Sequence, residues 1–132
     1  MNILKFLDEL NDKQREAVLT TEGPVLVLAG AGSGKTKVLT YRVAYILARN
    51  LADSENILAL TFTNKAAGEM KERIRKILGN LSKDIWIHTF HAMCLRILKQ
   101  HSELIGYPKN FVVYDRDDQF RIIRSLIKDK DL

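Results

Sequence analysis

An α/β fold built on a parallel sheet is what this sequence predicts, and three observations predict it. Short apolar runs rich in β-branched residues alternate with longer segments of helical period. A glycine-rich loop joins one such run to the helix that follows it. With 46% hydrophobic and 28% charged side chains among 132 residues, the chain has the composition of one globular domain with a real core, which excludes disordered and fibrous classes.

Each element has its own signal. Asn11, followed three residues later by Gln14, predicts a capping arrangement that opens a short helix through Val18 and Leu19. Residues 25–29 read as the first strand. After the glycine loop, Leu39, Val43, Ile46 and Leu47 line one face of a helix ending near Asn50. Residues 57–62 read as the second strand, and Met70, Ile74, Ile77 and Leu78 as the stripe of its helix, with Gly79 as a left-handed stop. Residues 85–89 form the third, followed by a stripe of Phe90, Cys94, Ile97 and Leu98. Gly106, Tyr107 and Pro108 break the chain, and 111–114 read as a weaker fourth strand. Asp115 then caps a last helix whose apolar face is Phe120, Ile123 and Ile127.

No apolar stretch approaches the roughly 20 residues that span a bilayer, so no membrane partner is expected. The first ten residues alternate apolar and charged side chains and do not read as a secretion signal; a cytoplasmic address follows. The single cysteine cannot form an internal disulfide, in keeping with a reducing compartment. A formal charge of +5 and a pI near 9.4 favour a polyanionic partner without identifying one.

The loop is Ala29, Gly30, Ala31, Gly32, Ser33, Gly34, Lys35 and Thr36, the phosphate-binding pattern in its validating context between strand and helix. Backbone curling around phosphate oxygens needs N–H groups pointing inward, which side chains would obstruct, and Gly32 and Gly34 supply that freedom. Lys35 brings a cation to the β- and γ-phosphates, and the next helix offers its positive end. The Thr36 hydroxyl is placed to ligate magnesium. Lys35 and Thr36 are therefore the candidate catalytic residues, ATP and Mg2+ the implied cofactors.

From residue 10 to about residue 98 the chain resembles the beginning of the Rep/UvrD/PcrA DNA helicases of superfamily 1. Four words in order carry the resemblance: LNDKQREAV at 10–18, the loop itself, LTFTNKAAGEM at 60–70, and TFHAMC at 89–94. It implies a three-layer RecA-like P-loop domain that, in the whole enzyme, uses ATP to move 3′ to 5′ along single-stranded DNA and to separate duplex.

Gln14 matches the family's adenine-recognising glutamine, and an amide can both donate to and accept from the purine edge. Residue type alone also permits a purely capping role. Lys37 stands where the family often has arginine, keeping the charge and losing the planar guanidinium.

Thr61, Phe62 and Asn64 match a DNA-contacting segment, and an aromatic at the carboxyl end of the sheet can stack on a base. Without the resemblance Phe62 reads as core. Thr89 and His91 match a second contact segment near a helix start. The helix spanning 65–76 carries five basic and two acidic residues, which fits an electrostatic track or a solvated face equally. His88, His91 and Cys94 match no standard zinc spacing.

A motor of this class also needs a carboxylate pair after a later strand and arginines from a second lobe. Asp8-Glu9 precedes the loop and Asp117-Asp118 opens a helix, so neither fits. The resemblance thus implies an amino-terminal fragment. Residues 1–109 are then an incomplete nucleotide-binding motor domain (1A) and 110–132 the start of an inserted helical subdomain (1B), with the second motor lobe beyond. The alternatives are the motor part of a helicase-nuclease, or a nucleotide-responsive DNA-binding module acting alone.

Overall fold

A computed structural model of the chain describes residues 4–129. A 3-10 turn, Lys5–Glu9, buries Phe6 and Leu7 and leads to Asn11, which caps α1 (Asp12–Leu19). The cap is reciprocal: Gln14 N–H donates to Asn11 Oδ1 at 2.9 Å, and Asn11 N–H donates to Gln14 Oε1 at 3.2 Å. After the loop comes α2 (Lys35–Ala48), then β1 (Leu58–Thr61), α3 (Asn64–Leu78), β2 (Trp86–Thr89) and α4 (Phe90–His101). Gly79 ends α3 at a φ of +58°, the positive value expected of its stop.

β1 and β2 pair in parallel, Leu58 opposite Trp86 and Thr61 opposite Thr89. Parallel strands need a crossover, and α3 supplies it, packing on both strands and on α2. Its stripe is Ala67, Met70, Ile74 and Leu78, with Ile77 half-buried at its edge. These side chains meet Val18 from α1, Val43, Ala44 and Leu47 from α2, and Ala59 and Ile87 from the strands in one core. Ile74, Val18 and Ala44 are wholly excluded from solvent.

Four expectations are corrected. Residues 25–29 form no strand and pair with none among the described residues, so they are not part of this sheet. Their side chains still alternate: Val25 and Val27 are about half as exposed as Leu26 and Leu28, at 40% and 46% against 83% and 87%. The two valines face Ala17, Val38 and Leu39 across a small cleft. A period of two is set by the side chains, whereas a ladder needs a second backbone. Residues 111–114 likewise form no strand, with Val112, Val113 and Tyr114 exposed.

The buried face of α2 is also rotated from the expected one. It is made by Val38, Thr40, Tyr41, Val43, Ala44 and Leu47, while Leu39 is exposed and Ile46 only half-buried. Thr40 is buried because its hydroxyl donates to the Thr36 carbonyl one turn back, at 2.6 Å, which satisfies the polar group inside the helix. Finally, none of Phe90, Cys94, Ile97 and Leu98 is buried, so the expected stripe of α4 does not enter a core.

By internal packing the chain divides within α4, into residues up to Cys94 and residues from Leu95. In the second unit, Gly106 turns the chain at a φ of +80°, and Lys109 pairs with Glu103 at 3.3 Å. Asp115 caps α5 (Arg116–Asp129), accepting from Asp118 N–H at 2.8 Å. Phe120, Ile123 and Ile127 share a face of α5, as the sequence predicts, and all three are exposed. No helix among the described residues is long and apolar enough to cross a membrane.

Candidate nucleotide site and nucleic-acid edge

The glycine loop folds onto the carbonyl of Gly30. That oxygen accepts from Lys35 Nζ at 2.7 Å, from the Ser33 hydroxyl at 2.7 Å and from Ser33 N–H at 3.3 Å, and Lys35 also donates to the Ala29 carbonyl at 3.2 Å. Gly32 and Gly34 have φ of +74° and +81°, the left-handed backbone for which the sequence supplies glycine. A Cβ on Gly32 would meet nothing within 4 Å, whereas one on Gly34 would come 3.1 Å from Gln14 Nε2.

Gln14 reaches the loop directly, its Nε2 donating to the Ser33 carbonyl at 3.0 Å. The capping glutamine of α1 and the loop that opens α2 thus share one wall. Gln14, Ala29, Gly30, Ser33 and Lys35 line a cleft of about 340 Å³, with Val27, Leu28 and Val38 as its apolar side. Ala31, Gly32, Gly34 and Thr36 complete the loop and the helix start. Gly34 carries no capping side chain, so the first-turn N–H groups of α2 have no side-chain or intrahelical acceptor.

These donors, one lysine ammonium and a left-handed backbone cradle form a set whose chemistry fits a polyphosphate, and the half-buried amide of Gln14 beside them fits a base edge.

Lys37 takes a different direction. Its ammonium donates to the Glu9 carbonyl at 2.9 Å and lies 3.3 Å from Glu9 Oε2, while Tyr41 Oη donates to the same carboxylate oxygen at 2.5 Å. The Tyr41 bond, then the Lys37 bond, hold the Glu9 carboxyl below the usual carboxylate range. Burial, then the Glu9 bond, push Tyr41 up to about 12. The sequence alone brings up Glu9 only in the Asp8-Glu9 pair, which does not fit a motor's carboxylates, and gives Tyr41 no role. The four-residue spacing of Lys37 and Tyr41 on one helix was the only local signal, since Glu9 lies 32 residues from Tyr41.

The second candidate region is the carboxyl edge of the sheet. Because Thr61 lies opposite Thr89, the residues that follow each strand, Phe62 and Phe90, stand side by side with ring centroids 5.5 Å apart. Phe62 is 91% exposed and Phe90 44% exposed, so Phe62 is not a core residue. Asn64 and His91, at the starts of α3 and α4, are exposed beside them.

Thr61 and Thr89 are buried and their hydroxyls serve local backbone. Thr61 donates to the Thr63 carbonyl at 3.0 Å, and Thr89 accepts from Ala92 N–H at 3.3 Å. The structure therefore gathers all five predicted residues at one edge, and exposes three of them.

The UvrD/REP helicase N-terminal domain matches residues 10–132. The ATP-dependent DNA helicase PcrA of Bacillus subtilis (strain 168) is 53% identical over 128 residues, covering 97% of this chain and 17% of that protein. The PcrA helicase of Staphylococcus aureus (strain Mu50) is 50% identical over 132 residues, covering all of this chain and 18% of that protein. The chain thus spans less than a fifth of the length of these relatives. With a match over residues 10–132, the chain belongs to the UvrD/REP helicase N-terminal domain family.

Proposed function

We propose that this chain is the amino-terminal part of an ATP-dependent DNA helicase that moves 3′ to 5′ along single-stranded DNA, and that it holds the phosphate loop and part of the DNA track of that motor. The observation that carries the reading is Gln14 donating to Ser33 inside the loop, because it joins a base-recognition amide to a phosphate cradle in one cleft. The small parallel sheet with α3 as its crossover supports a RecA-like P-loop arrangement. Residues 1–109 are the incomplete motor domain and 110–132 the start of an inserted subdomain, with the second motor lobe supplied elsewhere in the polypeptide.

In this reading Lys35 holds the β- and γ-phosphates, and the amides of residues 30–36 orient them. The Thr36 hydroxyl ligates Mg2+, and Gln14 selects the base. When bound, ATP with Mg2+ supplies the cleavable phosphoanhydride and the charge that neutralises it. Phe62 stacks on a DNA base while Asn64 and His91 approach the sugar-phosphate backbone, and the Thr61 and Thr89 hydroxyls hold those residues in place. Both strands end in Thr-Phe, without the carboxylate pair that positions an attacking water, so residues 1–132 alone do not turn ATP over. DNA repair or replication in the cytoplasm is the corresponding role.

The test is nucleotide binding and hydrolysis by the full gene product and by residues 1–132. The full product hydrolyses ATP in a manner stimulated by single-stranded DNA, and Lys35→Ala abolishes this. Steady-state hydrolysis by residues 1–132, lost on Lys35→Ala, would refute the incompleteness argued above.

A further inference from the structure

Two residues before the Asn11 cap, the chain is fastened to α2 at three points. Glu9 accepts from Tyr41 Oη at 2.5 Å, and Lys37 Nζ bonds both the Glu9 carbonyl at 2.9 Å and its carboxylate at 3.3 Å. The Lys37 ammonium also lies 5.3 Å from the centre of the Tyr41 ring, and Phe6 packs edge-on against that ring with centroids 5.1 Å apart. Tyr41 is 4% exposed, so the carboxylate bond it makes is sheltered on one side from competing water. A bond of that length from a hydroxyl to an ionised carboxylate is of the strong, charge-assisted kind.

What this fastening joins is specific. On one side the Lys5–Glu9 turn runs into Leu10 and Asn11, and Asn11 N–H holds Gln14 Oε1 at 3.2 Å. On the other, Lys37 and Tyr41 lie in the first two turns of α2, whose start is the phosphate loop. The fastening therefore joins the segment that holds the Gln14 amide to the helix that begins at the loop. Lys37 is directed onto Glu9.

We infer that Glu9, Lys37 and Tyr41 form a clasp that sets the register of Gln14 against the phosphate loop, making Glu9 and Tyr41 positioning residues for the choice of purine base. The inference rests on the nucleotide reading of the cleft. An adenine edge offers a donor and an acceptor where guanine offers the reverse, so a fixed Gln14 amide discriminates between them and a loosened one discriminates less. Phosphate recognition lies with Lys35 and the loop amides, which the clasp does not touch.

The experiment uses the full gene product and a fluorescent ATP analogue as probe, displaced in turn by ATP, GTP and inorganic tripolyphosphate. Tyr41→Phe keeps the ring against Phe6 and removes only the hydroxyl, and Glu9→Gln alters a carboxylate 59% exposed, so both variants are expected to fold. Each reduces the preference for ATP over GTP by roughly five- to tenfold, the size of one ordinary hydrogen bond, while displacement by tripolyphosphate shifts less than twofold. In a Gln14→Ala background, Tyr41→Phe has no further effect on the preference, because the clasp works through Gln14. An unchanged preference in both single variants overturns the inference, as does a full additional loss in the Gln14→Ala background or an equal weakening of all three competitors. Failure of the nucleotide reading looks different: the unaltered protein would then bind the probe no better than its Lys35→Ala variant.

Discussion

Replacing Phe62 with alanine separates the DNA reading from a packing role. The side chain is 91% exposed and its one aromatic neighbour, Phe90, is itself 44% exposed. Truncation therefore removes little buried area, and stability changes by no more than about 0.5 kcal/mol, as at other exposed positions. The same exposure leaves the ring face available to a base. Stacking of an aromatic on a base contributes about 1–3 kcal/mol, so Phe62→Ala weakens binding of single-stranded DNA by roughly 5- to 150-fold. Fluorescence anisotropy with a labelled oligonucleotide measures the binding loss in the full gene product, and DNA-stimulated hydrolysis should fall in parallel. The KM for ATP moves less than about twofold, since Phe62 is absent from the Gln14 and Lys35 cleft. Phe62→Tyr, which keeps the aromatic face, restores most of the affinity. Equal losses in DNA binding and ATP affinity, or a fall in unfolding free energy comparable with the loss of DNA binding, would refute the stacking argument.

Three further outcomes follow from the geometry. Gly34→Ala puts a side chain at a φ of +81° and 3.1 Å from Gln14 Nε2, so it lowers unfolding free energy by about 1–2 kcal/mol and weakens ATP binding; urea denaturation and nucleotide titration measure the two. Ile74→Ala, at a position with no solvent exposure, costs about 2–5 kcal/mol in the same denaturation assay, and a loss under 1 kcal/mol would mean that the α3 core is wrongly described. The clasp gives stability a dependence on pH with opposite signs at its two ends. The Glu9 carboxyl is held below its ordinary value of 4.5, so its contribution is present above that pH and is lost as the pH falls through the lowered value. Tyr41 is raised from 10.0 to about 12, so its contribution is present below pH 10 and is lost as the pH rises through about 12. Denaturation across pH should find the acid limb flattened by Glu9→Gln and the alkaline limb by Tyr41→Phe, and Tyr41→Phe should also remove the late component of tyrosinate absorbance.

Local chemistry was the legible part of this sequence. The Asn11 and Gln14 cap, the glycine positions of the loop and the Asp115 cap each depend on residues within four of one another, and all take the form their spacing predicts, while Gly79 ends α3 at the expected positive φ with a ψ outside the left-handed helical region. β1 and β2 were legible because both are short β-branched or apolar runs bounded by a helix start. What the sequence left open depends on distant backbone. Residues 25–29 alternate correctly yet have no ladder partner among the described residues, and no pattern within the segment states which strand should lie beside it. The face of α2 was misplaced because Thr40 and Ala44 pack inward while Leu39 does not, a choice made by the hydroxyl bond to Thr36 and by the close approach of α3. Phe62 could be read as core until the register placed it past the last paired residue, Thr61.

The starts of the five α-helices among the described residues explain why nucleotide and DNA readings fall where they do. Asn11, Thr63, Thr89 and Asp115 each accept from a first-turn N–H of their helix, at 2.9, 3.1, 3.3 and 2.8 Å. Among the described residues α2 alone begins without a capping side chain, at Gly34, and it alone carries a lysine folded into the loop before it. A helix start whose amides are already bonded has little to offer a phosphate, and one left open by glycine has several donors and the positive end of the macrodipole. At α3 and α4 the threonine caps consume that capacity. What remains exposed there is the residue between strand and cap, Phe62, or just after it, Phe90, whose ring faces suit bases better than phosphates. A single difference in capping thus separates the glycine-loop start of α2, whose open donors suit the proposed polyphosphate cradle, from the two strand-to-helix junctions at α3 and α4, whose exposed rings suit the proposed DNA platform.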